Sequence, residues 1–289
     1  MTRRFKRKIK LKRNVILITK YLILFLLIIF IHNSKFIKRI LSSNAKKYVE
    51  NNYVKVTDKL TMGANFEAKK NDDIFTLKES KDLKPLIYIY NTHQTEKYLQ
   101  DNLNFMPTVM HASKYLAEKF EENSLGTIVE TRSISDILNI NAWSYGKSYK
   151  VSRSYIEDTF ESNNTIKYFF DIHRDAGSHN YTTICVENKC YAKILFLIGL
   201  ENPTYYENQK YAEELNKRLN NKINGLSKGI LQKEGKKVNG VYNEDFSPRL
   251  ILIEIGGENN TIDEVYNTLN ILSEVLIDYI KEEISNGNK

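Results

Sequence analysis

Four apolar runs, each separated from the next by amphipathic stretches, constrain the fold of this chain more than any other feature. They are LIYIY (86–90), YFFDI (168–172), KILFLIG (193–199) and LILIEIG (250–256). Each is short and rich in β-branched or aromatic residues, and three run into polar or charged residues at their carboxyl ends. Short continuous apolar runs of this composition read as strands buried on both faces. Between them, helical periodicity appears. Pro107 opens a helix to about Asn123 with Val109, Ala112, Leu116 and Phe120 on one face; further helices are predicted over 148–162 and 205–222. GTIVETR (126–132) is one more strand, and Thr261 and Glu264 form a capping box opening a last helix over 262–284. Strands alternating with helices predict an α/β domain over 85–286, with a mostly parallel central sheet and helices on both faces. TTICVENKCYAKILFLIG (182–199) reads as a hairpin turning at Glu187–Lys189, with KILFLIG as its second strand. Cys185 and Cys190 flank that turn. They are either a disulfide or two small hydrophobes in strands, and their spacing makes no zinc site by itself.

The domain is preceded by a different texture. Residues 1–13 carry eight basic groups and no acid, which accounts for the whole net charge of +8 and leaves residues 14–289 neutral. A nucleic-acid partner would need a basic face on the folded domain, so that reading is excluded. Val15–Ile31 holds fourteen Val, Ile, Leu or Phe residues in seventeen. With the basic tip before it, this predicts a transmembrane anchor over 14–33, the N-terminus in the cytoplasm and the rest outside. A cleavable signal peptide is the rival, but no small-x-small cleavage site follows Ile31. His32 is juxtamembrane. Residues 34–84 read as a stalk or linker, polar and weakly periodic from residue 42, with Phe36, Ile37, Ile40 and Leu41 able to extend the anchor along the membrane interface.

The chemistry is expected at three strand ends. Ligands of open α/β sheets bind outside the carboxyl ends of the strands. The first strand runs into Thr92-His93-Gln94-Thr95-Glu96. The second runs through Asp171-Ile172-His173-Arg174-Asp175. The third carries Glu254 before Gly256-Gly257. Two His and one Glu make a catalytic zinc set that leaves a coordination position open, so His93, Glu96 and His173 are the candidate metal ligands and zinc the candidate cofactor. Such an ion acidifies water and polarises a carbonyl. Asp171 or Asp175 could orient the His173 imidazole from behind. Glu254 interrupts a run that should be buried; a carboxylate there is costly without a role or a partner. It is the candidate general base and acid, the alternative being an ion pair with Arg174 or Arg249. Arg174 is a candidate for binding a substrate carboxylate or an oxyanion. His179 is the substitute ligand, His111 a helix residue, and Tyr242, Asn243 and Asp245 lie in a loop that could line the groove.

These residues carry a resemblance. IYIYNTHQTEKY with its T-H-x-x-E-x-Y core, Ser148-Tyr149 with Ser152-Arg153, DIHRDA (171–176), KILFLIGLENPTYYENQKYA (193–212), YNEDFSP (242–248) and LIEIGGENNT (252–261) are similar to the stage II sporulation protein P family over about residues 85–285. The chain departs from the family pattern at Asn91, where many members carry a second His. The resemblance implies a sporulation cell-wall hydrolase whose fold looks like that of zinc-dependent N-acetylmuramoyl-L-alanine amidases. It implies cleavage of the amide between the stem peptide and N-acetylmuramic acid in peptidoglycan, and endopeptidase action on peptide cross-links as a second activity, in the septum during forespore engulfment. It also implies stage II sporulation proteins D and M as partners. Two other classes remain open: a wall-binding scaffold with a decayed site, and a zinc carboxypeptidase acting on stem peptides.

Overall fold

The computed structural model describes residues 83–287. The basic tip, the expected membrane anchor and all but the end of the expected stalk lie outside the described residues. Among those described, no helix is long and apolar enough to cross a membrane.

In chain order the first elements are β1 (Pro85–Tyr90), α1 (Val109–Glu122), β2 (Gly126–Val129), α2 (Ile134–Ile140), α3 (Ser148–Ser162) and β3 (Tyr168–Asp175). There follow the single turn α4 (His179–Thr182), β4 (Thr183–Val186), β5 (Lys189–Ala192) and β6 (Ile194–Gly199). The chain ends with α5 (Tyr205–Lys222), β7 (Ser227–Lys233), β8 (Leu250–Gly257) and α6 (Ile262–Gly287). Six strands form one sheet in the order β2-β1-β3-β8-β6-β7. Neighbours pair in parallel except β8 and β6, which are antiparallel. The sheet is therefore mixed and mostly parallel, as the alternating pattern predicts.

The period of two along each strand sorts the side chains between two faces. Ile87, Ile89, Phe170, Ile172, Ile194, Phe196, Ile198, Ile251, Ile253 and Ile255 pack in one core with the apolar sides of α1, α5 and α6. The other face carries Tyr88, Tyr90, Phe169 and Leu250 against Ile156 of α3. Farther across that face, Leu197, Leu252 and Tyr242 pack with Tyr149. Asp171, His173 and Glu254 fall on this second face by the same period. α2 does not reach the sheet; Ile134 and Leu138 pack on Val151 and Tyr155 of α3.

Two expectations need correction. KILFLIG is not the second strand of the hairpin: β4 and β5 form a separate two-stranded sheet, and the chain leaves it at Lys193 to enter the central sheet as β6. Every residue of β6 is buried, whereas the hairpin is half exposed, so the two segments belong to different environments. Pro107 does not open α1 either. It precedes the N-cap residue Thr108, and His111 Nδ1 takes the Thr108 N–H at 3.1 Å. Cys185 and Cys190 face each other across the hairpin and form a disulfide. The capping box of α6 forms as expected, Thr261 N–H donating to Glu264 Oε2 at 2.9 Å and Glu264 N–H to Thr261 Oγ1 at 3.2 Å.

Candidate active site

β1 ends buried at Tyr90, and the chain leaves it through a turn closed by Glu96 N–H on His93 O at 3.0 Å. That turn aims both side chains back at the neighbouring β3. His93 Nδ1 lies 3.5 Å from one Glu96 oxygen and His173 Nδ1 lies 3.4 Å from the other. One donor atom from each of the three residues falls within 4.8 Å of the others, so the structure brings His93, Glu96 and His173 together as the sequence predicts. His173 is buried, while His93 and Glu96 are 22% and 18% exposed and open the cluster to solvent. The donor chemistry, two imidazoles and a carboxylate, fits a small divalent cation such as zinc and leaves room for a further oxygen ligand.

Behind the cluster, His173 Nε2 lies 2.9 Å from Asp171 Oδ1, out of line for a hydrogen bond. Asp171 is itself held at both oxygens, by Thr92 N–H at 2.8 Å and Thr92 Oγ1 at 2.7 Å. Of the two carboxylates expected to support His173, Asp171 is the one that lies beside its ring. Asp175 does not, because the β3–β8 register shifts between His173 and Asp175 and breaks the period. Asp175 instead forms an ion pair with Lys228 of β7, a nearly buried lysine. The charges respond to these contacts. Burial pulls His173 down, but Asp171 and Glu96 outweigh it and hold the imidazole up at about 10. Burial pushes Glu96 up, and the two imidazoles outweigh it, holding the carboxyl well below its usual range. An anionic carboxylate between two imidazoles is the electrostatic setting a cation would replace.

Glu254 of β8 is the register partner of His173 on the neighbouring strand. Burial, reinforced by Asp175, pushes its carboxyl up to about 7 against the pull of His173 and Lys228. Neither arginine weighed as its partner pairs with it: Arg249 is paired with Glu283, and the Arg174 guanidinium binds Lys97 O at 3.1 Å and Asp175 O at 3.2 Å. Arg174 touches the cluster through its backbone N–H, which donates to Glu96 Oε2 at 3.0 Å. Just beyond Glu254 the chain turns through Gly256 (φ 63°), and a side chain at Gly257 would sit 2.7 Å from Gly177 O, so the exits of β8 and β3 cross in close contact.

The remaining candidates sort cleanly. His179 pairs with Glu264 at 3.0 Å and belongs to the capping of α6, so it is not a ligand of the cluster. Tyr242 packs edge-on against Tyr149 with centroids 5.3 Å apart, and Asn243 donates to Ser152 Oγ at 2.9 Å, continuing a chain of contacts through Thr92 to Asp171. Asp245 pairs with Arg153 at 2.7 Å. Asn91 is buried and satisfied by Ile172 O and Ser113 Oγ on the α1 side. Sequence reasoning did not single out Tyr145 or Lys228. Tyr145 stacks on His93 at 4.7 Å, and Tyr149 meets the same ring edge-on at 5.5 Å. Tyr149 had a signal, since it lies in a stretch carrying the resemblance; Lys228 had none, because its strand was not read.

A sequence model of the family "Stage II sporulation protein P (SpoIIP)" matches residues 28–277. Stage II sporulation protein P of Bacillus subtilis (strain 168) is 32% identical over 201 residues, covering 66% of this chain and 50% of that protein; the chain thus spans about half the length of the relative it matches. Among solved structures, the CwlD amidase from Clostridioides difficile, in complex with the GerS lipoprotein, is 12% identical with a TM-score of 0.44, over 69% of this chain and 98% of that one. Cwp6 from Clostridium difficile is 13% identical with a TM-score of 0.41, over 67% of this chain and 29% of that one. With the family model covering most of its length, the chain belongs to the stage II sporulation protein P family.

Proposed function

We propose that this chain is a metal-dependent N-acetylmuramoyl-L-alanine amidase that cleaves peptidoglycan during sporulation. The observation that carries the reading is the convergence of His93, Glu96 and His173 within 4.8 Å, beside Glu254 on the adjacent strand, in a chain of this family. His93, Glu96 and His173 would hold the ion, zinc being the best match to the donor set. A bound ion would supply Lewis-acid activation of the scissile carbonyl and of water. Glu254 takes the proton of the attacking water on its carboxylate and returns it to the departing amine nitrogen. Asp171 and Thr92 keep the His173 ring in orientation. Arg174, through its backbone N–H, helps hold the Glu96 carboxylate.

The reading extends to place and partners. A single N-terminal anchor over 14–33, with the domain outside the cytoplasm, is supported by the basic tip and the apolar run in the sequence, and a disulfide suits an oxidising compartment. Stage II sporulation proteins D and M are the partners the resemblance implies.

The test uses the full chain on intact peptidoglycan sacculi, with and without a chelator, and identifies released fragments by mass. Release of whole stem peptides and peptide-free glycan, abolished by the chelator and restored by zinc, is the expected result. Shortened stems still joined to sugar would indicate a carboxypeptidase, and binding without release would indicate a scaffold.

A further inference from the structure

Tyr145 lies on the short turn Tyr145–Lys147 that leads into α3. Its ring stacks on the His93 imidazole with planes 22° apart, yet 54% of the residue stays exposed. A tyrosine that served only to pack against His93 would gain by covering its outer face as well. The turn is pinned. Lys147 N–H donates to Ser144 O at 2.9 Å, the buried Ser148 donates its hydroxyl to Tyr145 O at 2.7 Å, and Trp143 N–H reaches back to Leu138 O at 2.9 Å. The exposed ring is therefore held in place without being covered.

The two ends of the cluster differ in chemistry. Along the sheet edge the order is His93 after β1, His173 on β3, Glu254 on β8 and Lys228 on β7. The β1 end presents an uncharged aromatic ring, Tyr145 on His93, and Tyr149 continues the aromatic surface from His93 towards β8. The β7 end presents the Asp175–Lys228 ion pair. A muramoyl-peptide amide has the same polarity. One side is an acetamido sugar whose ring faces are lined with C–H groups, and the other is a peptide bearing charged groups. We propose that Tyr145 is a stacking wall for the sugar next to the scissile amide, placing the glycan strand at the β1 end of the cluster. This rests on the amide-hydrolase reading above and names the part of the substrate that Tyr145 recognises.

The test measures affinity for soluble, peptide-free glycan strands with the full chain carrying Glu254→Gln, with and without Tyr145→Ala. Tyr145→Ala is expected to weaken binding about tenfold and Tyr145→Trp to restore it, with metal content unchanged. Hydrolysis is then compared on a muramoyl peptide and on a lactoyl peptide that lacks the sugar; Tyr145→Ala in the otherwise unaltered chain should raise KM on the first alone. No measurable glycan binding by the parent, unchanged glycan affinity in Tyr145→Ala, or equal loss on both substrates would overturn the proposal. Loss of glycan binding in Tyr145→Ala, with no hydrolysis by the unaltered chain, would overturn the hydrolase reading and leave the sugar wall standing as a binding subsite.

Discussion

His173 and Glu254 sit opposite one another on neighbouring parallel strands, β3 and β8, in direct register. One contributes an imidazole to the three-residue cluster. The other, at the same level of the sheet, has its carboxyl pushed up to about 7 and no arginine partner. The proposed ligand and the proposed proton-transfer group are thus fixed relative to each other by main-chain pairing.

Glu254→Gln is expected to leave metal binding intact and reduce turnover by about 10²–10⁴-fold, the range for losing a general base. Zinc content by elemental analysis and stem-peptide release measured together check this. Full activity in the zinc-loaded variant removes Glu254 from the mechanism.

Asp171→Ala should lower metal affinity about 10–100-fold, because the His173 ring loses the carboxylate behind it. Chelator competition reads this directly. Thr92→Val should show a smaller loss of the same sign, since it removes one of the two contacts that hold Asp171.

Glu244 is fully buried; burial pushes its carboxyl well above the usual range, while Gly199 N–H donates to one oxygen at 2.8 Å and the other has no partner. A carboxyl with a raised folded-state pKa binds more protons folded than unfolded. Its stabilisation is complete below the unfolded value and declines as pH rises towards the folded one. Glu244→Gln mimics the protonated form. It should match the wild type near pH 4.5 and gain on it with rising pH, by about 1.4 kcal/mol per unit while the folded carboxyl stays protonated. Parallel denaturation curves from pH 5 to 8 with a constant gap would contradict this.

The Cys185–Cys190 bridge closes a very short loop, so chain entropy limits its contribution to about 2 kcal/mol. The hairpin also has its own strand pairing and is tied to α6 by Asn267 Nδ2 on Cys190 O at 3.0 Å. Replacing both cysteines with alanine should lower the thermal midpoint by a few degrees and leave the cluster's metal affinity unchanged. A large loss of affinity would show that the hairpin supports the site.

Much of this could be read before the structure, for physical reasons. β1, β3 and β8 are buried on both faces, and such strands appear as unbroken apolar runs ending where the sheet edge meets solvent. His93, Glu96, His173 and Glu254 stood out because they are polar residues at those ends. β7 escaped notice because it is an edge strand with a single partner, β6; SKGILQK has neither a continuous run nor a clean alternation. Lys228 went with it, and so did the partner of Asp175. The reversal of β6 against β8 was equally hidden, since an apolar run carries no sign of its direction. Tyr145 was indistinguishable from a core aromatic until its distance from His93 was known, and Tyr149 was marked only by the resemblance.

The clasp of Thr92 on Asp171, the backbone bond that closes the 93–96 turn and the Arg174 N–H on Glu96 have a common consequence. The donors are assembled by contacts that need no ion, and the apolar cores close without them. Unlike a small zinc module that folds around its metal, this domain should reach its native state empty and take up or release the proposed ion without unfolding. In the proposed metal-dependent reading, supply of metal would then act as a reversible throttle on protein already in position, separate from its synthesis and its folding.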